Sequence, residues 1–182
     1  SAGTVSGRAV YRFRNTSGQE QTVSLAVNPG YTVSSVRANG EDVPFSVGEY
    51  QEYNEAVLEA AIPAEETVEL AVEYGGFPRE NGNISVMQGG AEISEEYLCL
   101  ENAELAPRLM NVLPDEAMYP TEVEITLPRH MIAIPLRDSE AEIISGQDGE
   151  ATWRYTYNGT SGILYAGDYI RQDIEAGGIT IQ

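Results

Sequence analysis

The sequence predicts an all-β fold, an antiparallel β-sandwich of about nine to eleven strands with a saddle-like shape and one long loop region. Three observations predict it. Apolar and polar residues alternate in many segments, which is the pattern of a strand with one buried face. Turn-forming Asn, Asp, Gly and Pro residues separate these segments at short intervals. No segment sustains the period of a helix, and no internal repeat is present.

The first strands show the alternation most clearly. Residues 8–14 alternate between arginines and apolar side chains, so we expect one charged and one buried face. A second strand is predicted at residues 22–27 and ends before a Pro-Gly pair. Asn39 and Gly40 tolerate the positive φ angles of a type I′ turn and predict a hairpin. Residues 49–59 have a helix-like Glu and Ala content, but the alternating apolar residues that follow favour a strand.

The middle of the chain is less regular. Residues 67–74 alternate clearly and predict a strand. Residues 77–94 contain Pro, Asn and Gly without a period, which predicts a long loop with one short strand at residues 84–86. Such a loop is suited to contact a partner. We expect a strand at residues 97–100 and a helical turn at residues 103–112 that a proline interrupts.

Order returns in the last third of the chain. Residues 122–127 alternate again and stop at a proline. Asp148 and Gly149 provide the turn of another hairpin, whose second strand carries Trp153 and two tyrosines. Residues 163–166 form a continuous apolar run, which is typical of a strand covered on both faces.

Composition limits what the chain can bind. With 182 residues, of which 42% are hydrophobic, the chain suits one sandwich, so we treat residues 1–182 as a single domain. The net charge of -19 repels phosphate backbones and anionic lipids, so we expect neither nucleic acid nor direct membrane binding. No apolar run reaches the roughly 20 residues of a membrane span. Because the sequence lacks a signal-like start and ends in a strand-like segment, we expect a fragment excised from a larger protein.

The chain has one histidine and one cysteine, which limits its chemistry. His130 lies between Arg129 and Met131 without a nucleophile motif nearby, so we expect a partly exposed surface histidine and not an independent hydrolase. Cys99 lies among apolar residues, which favours a buried and unreactive thiol. Carboxylate pairs are abundant among 29 acidic residues, so their presence does not indicate an acid-base site. We therefore predict no catalytic residue and no metal ligand in this chain.

Four stretches, taken in order, resemble the N-terminal β-domain of the M1 zinc aminopeptidase family, to which aminopeptidase N belongs. Residues 23–40 combine a strand, Pro-Gly, a second strand and Asn-Gly, and residues 68–76 end a strand in Tyr-Gly-Gly. Residues 113–133 are similar to the family's passage from a Pro-x-x-Asp turn into a strand. Residues 153–169 run from a Trp to an Ala-Gly-Asp-Tyr segment. Together they cover nearly the whole chain.

The resemblance implies a non-catalytic structural or substrate-access domain. The family's chemistry uses a Gly-x-Met-Glu-Asn segment and a His-Glu-x-x-His zinc helix, and this sequence contains neither. The resemblance therefore implies no cofactor in this chain, with zinc only in a following domain. It implies the neighbouring domain of the parent chain and a peptide substrate as partners. It also implies an extracellular or cell-surface location, in a zinc metallopeptidase or a membrane-anchored relative.

The resemblance also implies one place where this domain would touch a substrate. Family members reach the active site with a single Gln or Glu upstream of the Pro-x-x-Asp turn, and the candidates here are Glu101 first and Glu104 second. A carboxylate at this place would pair with the α-ammonium group of a peptide. The alternative is that both residues are solvated loop carboxylates.

A function of a different class stays open. The chain could be a stand-alone extracellular sandwich that binds carbohydrate or peptide, with Tyr31, Phe45, Tyr50 and Tyr53 on a stacking face. The same aromatic residues could instead cover a sandwich edge. Asn15 begins a glycosylation sequon, which local turn chemistry explains without a glycan.

Overall fold

The computed structural model describes residues 5–50, 53–79, 91–93, 97–101, 105–110, 120–134, 140–158, 163–169, 174–176 and 179–181. These residues form 17 strands. None of them belongs to a helix long and apolar enough to cross a membrane. In chain order the strands are β1 (Val5–Arg14), β2 (Gln21–Val27), β3 (Tyr31–Ala38), β4 (Glu41–Asp42), β5 (Phe45–Tyr50), β6 (Tyr53–Ile62), β7 (Thr67–Gly76), β8 (Ala91–Ile93), β9 (Tyr97–Glu101), β10 (Arg108–Leu109), β11 (Pro120–Pro128), β12 (Ile132–Ile134), β13 (Glu140–Ser145), β14 (Glu150–Asn158), β15 (Ile163–Gly167), β16 (Ile174–Ala176) and β17 (Ile179–Ile181).

The all-β prediction is confirmed, and the number of strands exceeds the predicted nine to eleven. Eleven of the strands have five or more residues, and the other six have three or fewer. Segments of two or three residues are too short to show a period of two, so an alternation pattern cannot reveal them.

The strands pair antiparallel in three sheets and one small hairpin. The largest sheet has seven strands in the order β13-β14-β11-β1-β7-β3-β4. One four-stranded sheet has the order β10-β2-β6-β5, and the other has the order β12-β15-β9-β8. Among the described residues, strands β16 and β17 pair only with each other. These residues form a sandwich in which no sheet closes into a barrel.

One hydrophobic core joins the three larger sheets. The seven-stranded sheet contributes Leu70 and Ile125, the sheet around β2 contributes Leu25, and the sheet around β9 contributes Leu100 and Leu164. All five side chains are fully buried. Burial of each such side chain stabilises the fold by about 1.5 to 3 kcal/mol, so the two smaller sheets are held against the large one mainly by this core.

The predicted alternation is confirmed in the long strands of the large sheet. Four inward positions of β7 are buried, as are the apolar positions of β11 and β14. On β1, Ala9, Tyr11 and Phe13 are buried, while Arg12 and Arg14 are exposed. Strand β2 differs, because it lies between β10 and β6 and buries both of its faces from Val23 to Val27.

Both predicted hairpin turns are confirmed. Asn39 and Gly40 have φ values of 52° and 86° between β3 and β4. Asp148 and Gly149 have φ values of 47° and 87° between β13 and β14. Two successive positive φ values are the signature of a type I′ turn, whose twist matches that of the flanking strands.

Two further predictions for the middle of the chain have different outcomes. The strand preference over residues 49–59 is confirmed, because they lie in β5 and β6 apart from residues 51–52. The helical turn expected at residues 103–112 is wrong for the part that the structure describes. There Arg108 and Leu109 form a strand that pairs with β2, and the amide of Met110 donates to the carbonyl of Ser24. The short strand expected at residues 84–86 lies outside the described residues.

The glycines of two resemblance motifs meet where β3 begins and β7 ends. Tyr31 pairs with Gly76 in the ladder, and a Cβ at Gly76 would lie 2.1 Å from the carbonyl oxygen of Gly30. A Cβ at Gly30 would lie 1.7 Å from the carbonyl oxygen of Phe77. The backbones approach so closely that only glycine fits at both positions, which is why this fold uses Pro-Gly and Gly-Gly there.

Charged residues cover the outer face of the large sheet. Arg12 and Glu69 form an ion pair of 2.9 Å between β1 and β7. Arg154 on β14 lies 3.1 Å from Glu124 on β11 and 3.3 Å from Glu142 on β13. The charges of several arginines are therefore matched across strands on a face turned away from the core.

Candidate functional site

Glu101 is the last residue of β9, and its main chain is part of a sheet. It pairs with Ile163, the first residue of β15. The preceding pair is Leu100 with Leu164, both fully buried in the core. The sequence therefore places Glu101 directly after an apolar anchor, and the ladder fixes its main-chain position. Glu104, the second candidate, lies outside the described residues.

The chain after this point is tied to the large sheet by two tyrosine hydroxyls. Tyr74 on β7 donates a hydrogen bond to the carbonyl oxygen of Leu105. Tyr11 on β1 donates to the carbonyl oxygen of Pro107. Leu105 itself is buried, so the segment is held by packing as well as by these bonds. Burial raises the pKa of Tyr74 well above its ordinary value, because the phenolate would be desolvated there.

A third tyrosine hydroxyl binds the main chain of the strand that pairs with Glu101. Tyr155 on β14 donates a hydrogen bond of 2.6 Å to the carbonyl oxygen of Ile163. The ring of Tyr155 lies against that of Tyr157, with centroids 5.6 Å apart. The alternation in the sequence predicts Tyr11 and Tyr155 as core residues, but it gives no sign of their acceptors. The available signal is chemical, since a buried tyrosine hydroxyl usually needs a partner.

The single histidine of the chain lies on the surface, whereas the single cysteine lies within a strand. His130 is exposed in the turn between β11 and β12, as predicted. Cys99 is partly exposed, so the prediction of a buried thiol is wrong. The reason is the pleat of β9, in which Leu98 and Leu100 take the buried positions on either side. The described residues hold no group of three or more His, Cys, Asp or Glu side chains that could bind a metal ion.

The aromatic stacking face loses two of its four predicted members. Tyr31 and Tyr53 are each 4% exposed, and Phe45 is partly buried against the core. The ring of Tyr31 packs against that of Tyr74 at a centroid distance of 5.2 Å. Tyrosines that pack into the core cannot stack on a sugar, so Tyr31 and Tyr53 do not support the predicted stacking face. The side chain of Tyr50 lies outside the described part.

A shallow polar depression lies at the turn between β13 and β14. It has a volume of about 550 Å³. Its lining consists of small or polar residues, namely Thr126, Ser145, Gly146, Gln147, Glu150 and Thr152. This lining combines the hydroxyl groups of Ser145, Thr126 and Thr152 with one carboxylate, Glu150, and it contains neither histidine nor cysteine.

The chain is similar to known proteins in structure, but no similarity is found at the level of sequence. No family model matches the sequence, and no curated protein matches it. In contrast, the structure is similar to an M1 zinc metallopeptidase from Deinococcus radiodurans, with a TM-score of 0.60 and 17% identity. That match covers 99% of this chain and 42% of the metallopeptidase. The chain has the fold of an M1 metallopeptidase domain.

Other solved M1 structures give the same result. A two-domain M1 zinc metallopeptidase variant bound to L-arginine matches with a TM-score of 0.61 and 18% identity, over 97% of this chain and 41% of that one. A variant of the Deinococcus radiodurans enzyme bound to a Tyr-Ser-Ala substrate matches with a TM-score of 0.60 and 16% identity, over 99% and 42% of the two chains. The predicted resemblance to the N-terminal M1 domain is therefore confirmed for the fold. The chain spans less than half the length of each M1 protein.

Proposed function

We propose that this chain is the non-catalytic N-terminal domain of a larger M1-like zinc peptidase, where it supports the neighbouring domain and shapes substrate access. The observation that carries the proposal is the coverage of the structural match, 99% of this chain against 42% of the M1 chain. The sequence adds a second support. Its single histidine cannot supply the two histidines of the family's zinc helix, so the metal would be bound by a following domain.

The activity of the full-length polypeptide tests whether catalysis belongs to a following domain and not to this chain. We expect it to release N-terminal residues from peptides, to lose this activity with a chelator and to regain it with zinc. The 182-residue chain alone should release none. Activity of the isolated chain that survives chelation and disappears in His130→Ala would contradict the proposal. So would a full-length polypeptide without any zinc-dependent peptidase activity.

The substrate class that we propose is a peptide with a free N-terminus, and Glu101 is the proposed contact. M1 structures similar to this chain contain L-arginine, L-tryptophan or a Tyr-Ser-Ala substrate. These ligands share an α-ammonium group, which a carboxylate binds through a charge-assisted hydrogen bond. Glu101 ends a strand whose main chain is paired with β15, which is a suitable support for such a contact.

Replacement of the two candidate carboxylates tests the contact. In the full-length polypeptide, Glu101→Ala should raise KM for a free-amine peptide about tenfold or more with little change in kcat, because the acceptor and the negative charge that pair with the α-ammonium group are removed. Glu104→Ala is the matched comparison and should have the smaller effect. An N-acetylated peptide provides the substrate control. Unchanged KM values in both variants would mean that both residues are solvated carboxylates.

We also propose an extracellular or cell-surface location for the parent protein. The resemblance to the M1 family supports this location, whereas the single cysteine is compatible with a reducing or an oxidising compartment. Protease added to intact cells tests the location. Cleavage of the protein is expected, and complete protection until the cells are lysed would contradict the proposal.

A further inference from the structure

We infer that Tyr11, Tyr74 and Tyr155 are positioning residues, which hold the main chain around Glu101 in place for substrate binding. The inference rests on the proposed function, since it concerns the same contact. It goes further by assigning a role to three side chains that cannot touch a substrate themselves. Each of the three is 3% exposed or less.

The three hydroxyls bind main-chain carbonyl oxygens that either follow Glu101 in the sequence or lie beside it in the sheet. Two of them bind the carbonyl oxygens of Leu105 and Pro107, which follow Glu101 in the sequence. The third binds the carbonyl oxygen of Ile163, whose residue is the ladder partner of Glu101. The tyrosines come from β1, β7 and β14 of the large sheet. The large sheet thus holds the ladder partner of Glu101 and two described residues that follow Glu101, Leu105 and Pro107.

Hydrogen bonds select one position of the facing main chain, which apolar packing alone does not do. A leucine in place of each tyrosine could fill a similar part of the core, but it would not select one position of the facing main chain. A hydroxyl bond has a preferred distance and direction, and a buried carbonyl left without a donor is costly. A contact to a substrate must be held to within a fraction of an ångström, which favours supports of this directional kind.

Gly7 provides the space that Tyr74 needs. It pairs with Tyr74 across β1 and β7. A Cβ at Gly7 would lie 2.7 Å from the hydroxyl oxygen of Tyr74 and 2.8 Å from its Cζ. Gly7→Ala would therefore displace the hydroxyl without removing it. Gly48 is a matched control, because a Cβ there meets nothing within 4 Å.

The experiment measures KM and kcat of the full-length polypeptide for a free-amine tripeptide. Tyr74→Phe, Tyr155→Phe and Gly7→Ala should each raise KM about threefold to tenfold and change kcat by less than about twofold, because they weaken binding and leave the chemistry intact. Tyr53→Phe on β6 and Gly48→Ala should leave both constants unchanged. Thermal melts of each variant show whether it folds, and Tyr155→Phe and Tyr74→Phe decide the result independently.

A double-mutant cycle separates positioning from a general loss of stability. If the tyrosines act through Glu101, adding Tyr74→Phe to Glu101→Ala should raise KM no further. An equal rise in both backgrounds would overturn the inference. If Glu101→Ala raises KM while the tyrosine and Gly7 variants do not, the positioning role fails and the proposed substrate contact stands. If Glu101→Ala itself leaves KM unchanged, the proposed contact fails and the inference fails with it.

Discussion

Asn15 shows how one polar side chain closes the edge of the core. It is 1% exposed, and its Nδ2 lies within 3.0 Å of the carbonyl oxygens of Gln19, Ile62 and Pro63. Its Oδ1 accepts hydrogen bonds from the amide and the hydroxyl of Ser17. The residue begins a glycosylation sequon, but its amide nitrogen is fully engaged in the folded chain. The turn interpretation of this motif therefore has structural support.

Replacing Asn15 should lower stability clearly. Asn15→Asp removes the amide donor and places a carboxylate against three carbonyl oxygens, so we expect a loss of about 2 kcal/mol or more in the free energy of unfolding. Chemical denaturation measures it. Gln147→Glu makes the same amide-to-acid change at an exposed position and should have little effect. Equal stability of the two variants would contradict the assigned role of Asn15.

Tyr74 predicts a stability change at alkaline pH. Folding raises its pKa by burial, so its contribution is complete below the unfolded pKa of about 10 and is lost as the pH rises above that value. Between about pH 10 and 11, the wild-type chain should lose about 1 kcal/mol more than Tyr74→Phe. Denaturation curves at several pH values test this. Parallel loss in both proteins would show that Tyr74 does not ionise only on unfolding.

At the scale of the elements, local sequence patterns predicted the turns and strands that depend on a few neighbouring residues. The Asn39-Gly40 and Asp148-Gly149 turns were predictable because few residues tolerate two successive positive φ values. Strand β10 was not predictable, because two residues have no period and its existence depends on pairing with β2. The candidate Glu101 came from motif order. The three tyrosine hydrogen bonds could not be predicted from local sequence patterns, because donor and acceptor are separated by between eight and 96 residues.

The contact between β3 and β7 gives a prediction for an element boundary. Gly76 has a φ of 149°, and a Cβ there would overlap the main chain of Gly30. Gly76→Ala should therefore destabilise the chain by about 2 kcal/mol or more, because main-chain atoms have to move apart. Gly48→Ala, in an open position on β5, should change stability by less than about 1 kcal/mol. The midpoint of urea denaturation measures both. Similar midpoints would show that the close approach does not constrain the fold.

At the scale of the whole molecule, one sheet has two different faces with different roles. Its outer face carries cross-strand ion pairs such as Arg12–Glu69 and Arg154–Glu124. Its inner face carries the shared core and the tyrosines that reach the main chain near Glu101. The fold is that of an M1 domain, and the chain covers 42% of an M1 protein, so the proposed role of the sandwich is to support a neighbouring zinc domain and to hold Glu101 for substrate contact.

The most direct test of this account is a distance in an experimental structure of the full-length polypeptide with a bound free-amine tripeptide. We expect a distance of about 2.7 to 3.2 Å between a carboxylate oxygen of Glu101 and the α-nitrogen of the peptide. We also expect zinc to lie outside residues 1–182. A separation beyond about 6 Å, where a paired charge no longer acts directly, would contradict the central claim.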